Sequence, residues 1–333
     1  MKAWRECLWL LLAGSLMLFT SCGTATFYSQ AAVGQLEVLS KRQPVDRVIA
    51  ETEDEALRER LELNKRLLAF AESELHMPSG GAYELYAEIG RKHLVWVVHA
   101  APELSMEPKR WWYPVVGKQA YRGFFREELA KKEIARLEKD GMETWVGGVD
   151  AFSTLGWFRD PVMDTFVRRE EVDYAELIFH ELVHRTYYVS GETDFNEAMA
   201  EAVAREGVRR WFRASGRPEL VERYDERLRR INQAREAIGG ASERLEAIYA
   251  RPISDAEKRR LKAAEIAQLK SRLRELRTEW GRGLKSWIDG PINNARLNSF
   301  TTYEAGVPRF VALIEECGGD FEVFWERVKE LEE

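Results

Sequence analysis

Two histidines four residues apart, with a glutamate beside the first, form the most chemically loaded stretch of this sequence: His180-Glu181-Leu182-Val183-His184. On a helix, residues i and i+4 share a face, so both imidazoles can point at one metal ion. Glu181 stands beside them, where it can take a proton from a metal-activated water. The pattern reads as a zinc site plus a general base. With 5 His and 56 acidic residues in 333 positions, chance would supply it on the order of once in a hundred such sequences. The bland alternative is a pair of core or surface histidines that bind nothing.

A catalytic zinc takes a third protein ligand and keeps one position open. The next helix-like segment, Asp194-Phe195-Asn196-Glu197-Ala198-Met199-Ala200-Glu201, offers two candidates. Glu197 is the natural ligand. Glu201, one turn further on the same face, could accept a hydrogen bond from the free ring nitrogen of a ligating histidine. The reverse assignment, Glu201 as ligand and Glu197 behind it, stays open. Gly191 supplies the turn between the helices, and Asp194 reads as the N-cap.

The elements that must position these residues are legible at low resolution. Leu177, Ile178, Leu182 and Val183 give the metal helix an apolar side. Upstream, Asp54 to Leu75 reads as an amphipathic helix. Leu94–Val98, Trp111–Val116 and a segment from Thr144 read as strands, with a helix over Phe125–Lys139. From Glu171 onward nearly everything reads as helix, including a charged hairpin broken at Pro252. The expected class is α+β: a small, mainly antiparallel sheet over about 22–165, then a largely helical metal-binding body over about 166–333. Together these make one domain over 22–333. The chain carries −6 net charge, from 56 acidic and 50 basic residues, and no basic excess suited to nucleic acid.

The opening residues read as an address. A basic start, an apolar run from Cys7 to Phe19 and small residues before Cys22 make a secretory signal over 1–21. Cys22 at the cut resembles a bacterial lipoprotein signal, in which it becomes the lipidated N-terminus; Phe19 departs from the usual Leu. An ordinary secretory signal with a chance Cys is the alternative. The lipobox reading implies a lipid-anchored protein on the periplasmic face of the cell envelope. Thr24 in place of a retention Asp points to the outer membrane. Of the 3 Cys, only Cys317 is then left as a thiol, reading as a small buried residue near a helix end.

His180-Glu181-x-x-His184 followed by Asn196-Glu197-Ala198 resembles the gluzincin clan of metallopeptidases, in which the Glu after Asn is a ligand. A closer resemblance, to the bacterial zinc aminopeptidase lipoproteins, covers most of the chain. It rests on Tyr28-x-Gln30-Ala31-x-x-Gly34-Gln35, Ala101-Pro102-Glu103-Leu104-Ser105 and Tyr121-Arg122-Gly123-Phe124-Phe125. Ser153-Thr154-Leu155-Gly156-Trp157-Phe158-x-Asp160-Pro161 and Asn293-Asn294-Ala295 complete it. The resemblance implies a zincin-like fold, one Zn²⁺ per chain and aminopeptidase action by a monomer on peptides. It also implies that Trp112 and Lys118, where family members often carry Cys, face one another without a disulfide.

Glu181 is expected to move the proton, and by the same resemblance a Tyr or His outside the metal helices stabilises the oxyanion. Tyr303 is the candidate for that donor, with a core aromatic as its plainer role. The stretch from Val146 to Ser153 reads as an edge strand for an extended substrate. There Gly147 and Gly148 would admit its backbone closely. Asp150 or Glu192 could hold the substrate amino group, and Ala151 and Asn294 complete the expected substrate-binding set. Competing functions are a zinc endopeptidase, a cell-wall peptide amidase, or a lipoprotein whose metal only braces two helices.

Overall fold

The computed structural model describes residues 22–113, 117–151, 158–300 and 306–331, with side chains from Phe27 onward. The chain opens with α1 (Cys22–Ser40), β1 (Arg42–Pro44), α2 (Val45–Glu51) and α3 (Glu55–Leu75). Asp54 caps α3 by accepting from the Leu57 amide at 3.0 Å, and the helix ends at His76 in the left-handed region. There follow β2 (Leu85–Ala87), β3 (Val95–Pro102), the hairpin strands β4 (Trp111–Tyr113) and β5 (Gly117–Gln119), and β6 (Tyr121–Phe124). Next come α4 (Glu127–Lys139), β7 (Met142–Val149) and β8 (Val162–Met163). The rest is helical: α5 (Glu171–Thr186), α6 (Thr193–Ala214), α7 (Glu219–Tyr249), α8 (Asp255–Trp280), α9 (Lys285–Asp289), α10 (Asn294–Asn298), α11 (Val307–Glu316) and α12 (Phe321–Glu330). The α+β class is as expected.

The sheet is not one piece. Strand order is β6-β3-β7 in the largest sheet, β1-β2-β8 in a second and β4-β5 in a hairpin. The β2–β8 pair is parallel, and the other pairs are antiparallel. Strands of two or three residues carry too little alternation to announce themselves, which is why β1, β2 and β8 escape the sequence. Trp112 and Lys118 stand directly opposite across the hairpin, so the two positions expected to face one another do.

Three apolar clusters hold the elements. The main core draws Leu61, Leu67 and Leu75 of α3 together with Val162, Ile178, Phe179, Val203, Phe310 and Phe324. It therefore joins parts of the chain on either side of residue 165. A second cluster lies between α7 and α8, with Leu245, Leu269 and Leu273 against Ile288 and Leu297. The third packs one face of the β6-β3-β7 sheet on α4, through Val98, Phe124, Ala130 and Leu137. Alternation along β3 sends Val97 and His99 to the opposite face. Among the described residues, no helix is long and apolar enough to cross a membrane.

Candidate metal centre

Helix α5 carries the His-Glu-x-x-His pattern in its second half. Acidic residues in its first turn (Glu171, Asp173) and His184 and Arg185 in its last complement the helix dipole. Its buried side, Tyr174, Ile178, Phe179, Leu182 and Val183, anchors it in the main core. His180 and His184 therefore project together, Nε2 to Nε2 at 3.1 Å.

The loop to α6 is closed by Asn196. Its side-chain Oδ1 accepts from the Val189 amide at 2.9 Å and its Nδ2 donates to the Val189 carbonyl at 2.7 Å. Gly191 makes the turn with φ 88°. The helix starts at Thr193 with Glu192 at the N-cap and Asp194 inside the first turn, so Asp194 is not the cap. The Asn196 clamp sets the phase of α6, and Glu197 faces both histidines. Its Oε2 lies 3.3 Å from His180 Nε2 and its Oε1 lies 3.5 Å from His184 Nε2.

These three residues form a group that could hold a metal ion. Metal–ligand bonds of about 2.0–2.1 Å in a tetrahedral zinc site set the donor atoms about 3.3–3.4 Å apart. The two imidazole nitrogens at 3.1 Å stand near that edge length; Glu197 approaches His180 and His184 with different oxygens, at 3.3 and 3.5 Å, and one donor atom from each residue lies within 4.8 Å of the others. Two imidazole nitrogens and a carboxylate are also the donor set zinc takes. Glu201 sits on the other side of His180, its Oε2 3.8 Å from Nδ1. Its Oε1 is gripped by Arg205 through Nη2 at 2.6 Å and Nε at 3.1 Å. The group that could hold an ion thus includes Glu197, and Glu201 lies on the Nδ1 side of His180.

The electrostatics ask for a cation. Burial disfavours charge on His180, but the Glu197 hydrogen bond and the charges of Glu181, Glu197 and Glu201 outweigh it, lifting the pKa to about 9. Burial, together with the charge on His180, drives His184 down to about 4. Burial is likewise the main cause that raises Glu181 to about 7, with Glu197 and Asp160 adding to it against His180. Glu181 Oε2 is buried and has no hydrogen-bond partner among the described residues. A carboxyl oxygen left unpaired beside a donor cluster is costly unless something polar arrives to meet it.

The model of the family described as "Putative aminopeptidase" matches residues 26–333. The chain belongs to that family. Membership supports a peptidase role for the chain at a coarse level. No curated protein and no solved structure matches the chain.

Other expected site residues scatter. Among the described residues nothing lies within 4 Å of a Cβ placed on Gly147 of β7, whereas a Cβ on Gly148 would lie inside the His93 ring. Gly148 therefore makes room for an internal neighbour rather than for substrate. Asp150 is already engaged, accepting from His93 Nδ1 at 2.5 Å and from Arg169 at 2.6 Å. Ala151 belongs to the main core. Asn294 is fully buried, with its amide nitrogen donating to the carbonyls of Pro102, Glu103 and Ser105 and its Oδ1 accepting from Tyr249. It ties α10 to the end of β3 and is not open to a substrate. Glu192 is exposed in the turn. Tyr303, the segment 152–157 and the side chain of Cys22 lie outside the described residues. Cys317 caps α11 and is half-buried rather than buried.

Sequence reasoning gave no role to Tyr121. Its ring is 37% exposed. Burial, then the charge of Glu197 and the hydroxyl of Tyr188, raise its pKa, which marks it as a neighbour of the donor cluster. Tyr188 in turn stacks edge-on with His184 at 6.4 Å between ring centroids. The available signal was a solvent-facing Tyr next to Gly123 in a short strand.

Proposed function

We propose that this chain is a zinc-dependent aminopeptidase of zincin-like fold, tethered to the bacterial envelope by a lipid on Cys22. The observation that carries the reading is the joint geometry of His180, His184 and Glu197, whose donor atoms lie within 4.8 Å of one another, with Glu181 Oε2 beside them and unpaired among the described residues. His180 and His184 through Nε2 and Glu197 through its carboxylate would hold the ion. Zinc bound there supplies Lewis acidity toward a substrate carbonyl and a water.

The protein's own residues do the rest. Glu181, with a pKa raised to about 7, is poised to take the proton of the attacking water at Oε2 and return it to the departing amine nitrogen. Tyr303 remains the proposed oxyanion donor. Glu201, held by Arg205, faces the Nδ1 side of His180 at 3.8 Å, where it would orient the ring on closer approach. The lipid anchor rests on the pattern before Cys22 alone.

The decisive experiment measures zinc content and turnover together. Purified protein is expected to carry about one zinc per chain, lost in His180→Ala, while Glu181→Gln keeps the metal and loses turnover. Free-amine peptides are cut and N-blocked ones are not. Equal cleavage of blocked peptides would favour endopeptidase or amidase action. Metal without turnover on either set would favour a bracing role, and full metal retention in His180→Ala would remove the site assignment.

A further inference from the structure

Helix α1 carries no charged residue before Glu37, and followed toward its start it passes over β6 to the β4–β5 hairpin. Gly34 leaves room for the Phe125 ring. One turn earlier, Gln30 donates to the Gly123 carbonyl at 3.4 Å and accepts from the Phe125 amide at 2.9 Å. Phe27 then meets Phe124 at 5.9 Å and Tyr113 of β4 at 5.3 Å between ring centroids. Cys22, where the helix begins, stands five residues further on, about 7–8 Å along the axis. With one peptide more from Tyr113 to Trp112, the Cα atoms of Trp112 and Cys22 lie within about 25 Å of each other.

The hairpin reached there is charged in one sense only. From Lys109 to Arg122 the chain places Lys109, Arg110, Lys118 and Arg122 and no acidic residue, in a protein of net charge −6. Its two faces differ. Trp111 is buried and donates through Nε1 to Glu133 of α4 at 3.3 Å, which ties the hairpin down. Trp112 alternates to the other face, 67% exposed, directly opposite the exposed Lys118. Arg110 is exposed as well. Tyr28, edge-on to Phe27 at 5.4 Å, and Tyr121, whose carbonyl accepts from the Tyr113 hydroxyl at 3.5 Å, are exposed around the same junction. Indole and phenol rings interleaved with Lys and Arg suit the headgroup level of a bilayer. There the apolar bodies of the rings leave water while the cations stay among phosphates.

We infer that the outward face of this hairpin seats the protein on an anionic bilayer, with Trp112 at the headgroup level and Arg110 and Lys118 on lipid phosphates. The inference rests on the lipid proposed at Cys22, which brings a bilayer within reach of the hairpin. The hairpin then fixes which side of the protein faces that bilayer. A basic patch beside a lipid chain supplies the second contact that firm anchoring takes, and the protein lies on the surface without crossing it.

The test places the purified protein on phosphatidylcholine vesicles with or without phosphatidylglycerol. A fluorescent dye is attached at Trp112→Cys, or at Val323→Cys on α12 as a control, each with Cys317→Ser to remove the free thiol. Both labelled positions are exposed, so the variants are expected to fold, and thermal melting checks that. On phosphatidylglycerol vesicles the dye at position 112 is expected to shift to the blue and to be quenched by lipid carrying a headgroup nitroxide. The dye at position 323 is expected to do neither. Arg110→Gln and Lys118→Gln are each expected to lower the docked-to-free ratio about fivefold. Equal quenching at both positions, no quenching at 112, or quenching indifferent to both charge variants and to phosphatidylglycerol overturns the inference. A dimer that depends on Trp112, with no vesicle effect, overturns it in favour of a second copy of the chain. The mass of the N-terminal peptide tests the lipid separately. If no lipid is present the anchor reading fails, and the same dye measurement with Cys22→Ser added decides the hairpin: no quenching at 112 overturns it.

Discussion

Asn196 and Val189 exchange two hydrogen bonds, side-chain amide to backbone, at 2.9 and 2.7 Å. Asn196 is 1% exposed; the Val189 amide has it as partner, while the Val189 carbonyl also accepts from the Glu192 amide at 3.3 Å. The residue before Glu197 is therefore the latch that turns α6 to face α5. Asn196→Leu strips the Val189 amide of its partner and the carbonyl of one of its two, and is expected to cost about 1–3 kcal/mol. Because the latch orients Glu197, the same variant is expected to bind zinc at least tenfold more weakly. Chemical denaturation and a competitive chelator titration check the two effects; wild-type metal affinity in the variant would separate the latch from the site.

The pH dependence of metal binding follows from His180. Without metal its pKa is lifted to about 9, so near neutral pH the ion must displace a proton from Nε2. Zinc affinity is expected to climb with pH, by about tenfold per unit where one proton is released, and to flatten above about 9. Chelator competition between pH 6.5 and 9.5 measures the slope. A flat profile would mean that His180 is not charged in the empty site. His184, with its pKa near 4, contributes no slope in that range.

Legibility followed sequence separation. The two histidines and Glu181 announce themselves because a helix converts a four-residue spacing into a shared face. Glu197 is legible with Glu201 as rival, and only the Asn196–Val189 latch and the Arg205–Glu201 grip separate them in space. Asp150, Gly148 and Asn294 read as substrate contacts because polar and glycine residues near a site look alike in one dimension. Each is instead absorbed by a partner far along the chain: His93 for Asp150 and Gly148, and the carbonyls of 102–105 for Asn294. Tyr121 was invisible for the same reason, since its neighbourhood depends on β6 pairing with β3 and on α6 lying close by.

Arg205 tests how far outward the site extends. Its guanidinium, 7% exposed, takes one oxygen of Glu201 in a fork and leaves the other facing His180 Nδ1. Arg205→Ala leaves a carboxylate without its buried partner, and zinc affinity is expected to fall about ten- to a hundredfold, as for other residues that orient metal ligands. Arg205→Lys keeps the charge but not the fork, so it is expected to recover stability before it recovers affinity. Identical affinities in both variants and wild type would confine Arg205 to packing.

Glu171 anchors the start of the metal helix and ties stability to pH. Its Oε1 accepts from Trp211 at 2.7 Å and from Arg217 at 2.6 Å, and Oε2 accepts from Arg217 at 2.8 Å. The Arg217 hydrogen bonds hold its pKa below the usual 4.5, against the opposing effect of burial. A folded-state pKa below the unfolded value means that the stabilisation is present above the unfolded value and lost as pH falls through the folded one. Glu171→Gln is expected to destabilise the protein by about 1–2 kcal/mol at pH 7. The difference is expected to shrink below about pH 4.5 as the wild-type carboxyl takes up its proton. Urea unfolding of both proteins at pH 7, 5 and 3.5 measures this. A constant difference across that range would mean that shape, not the charge on Glu171, is what Arg217 and Trp211 recognise.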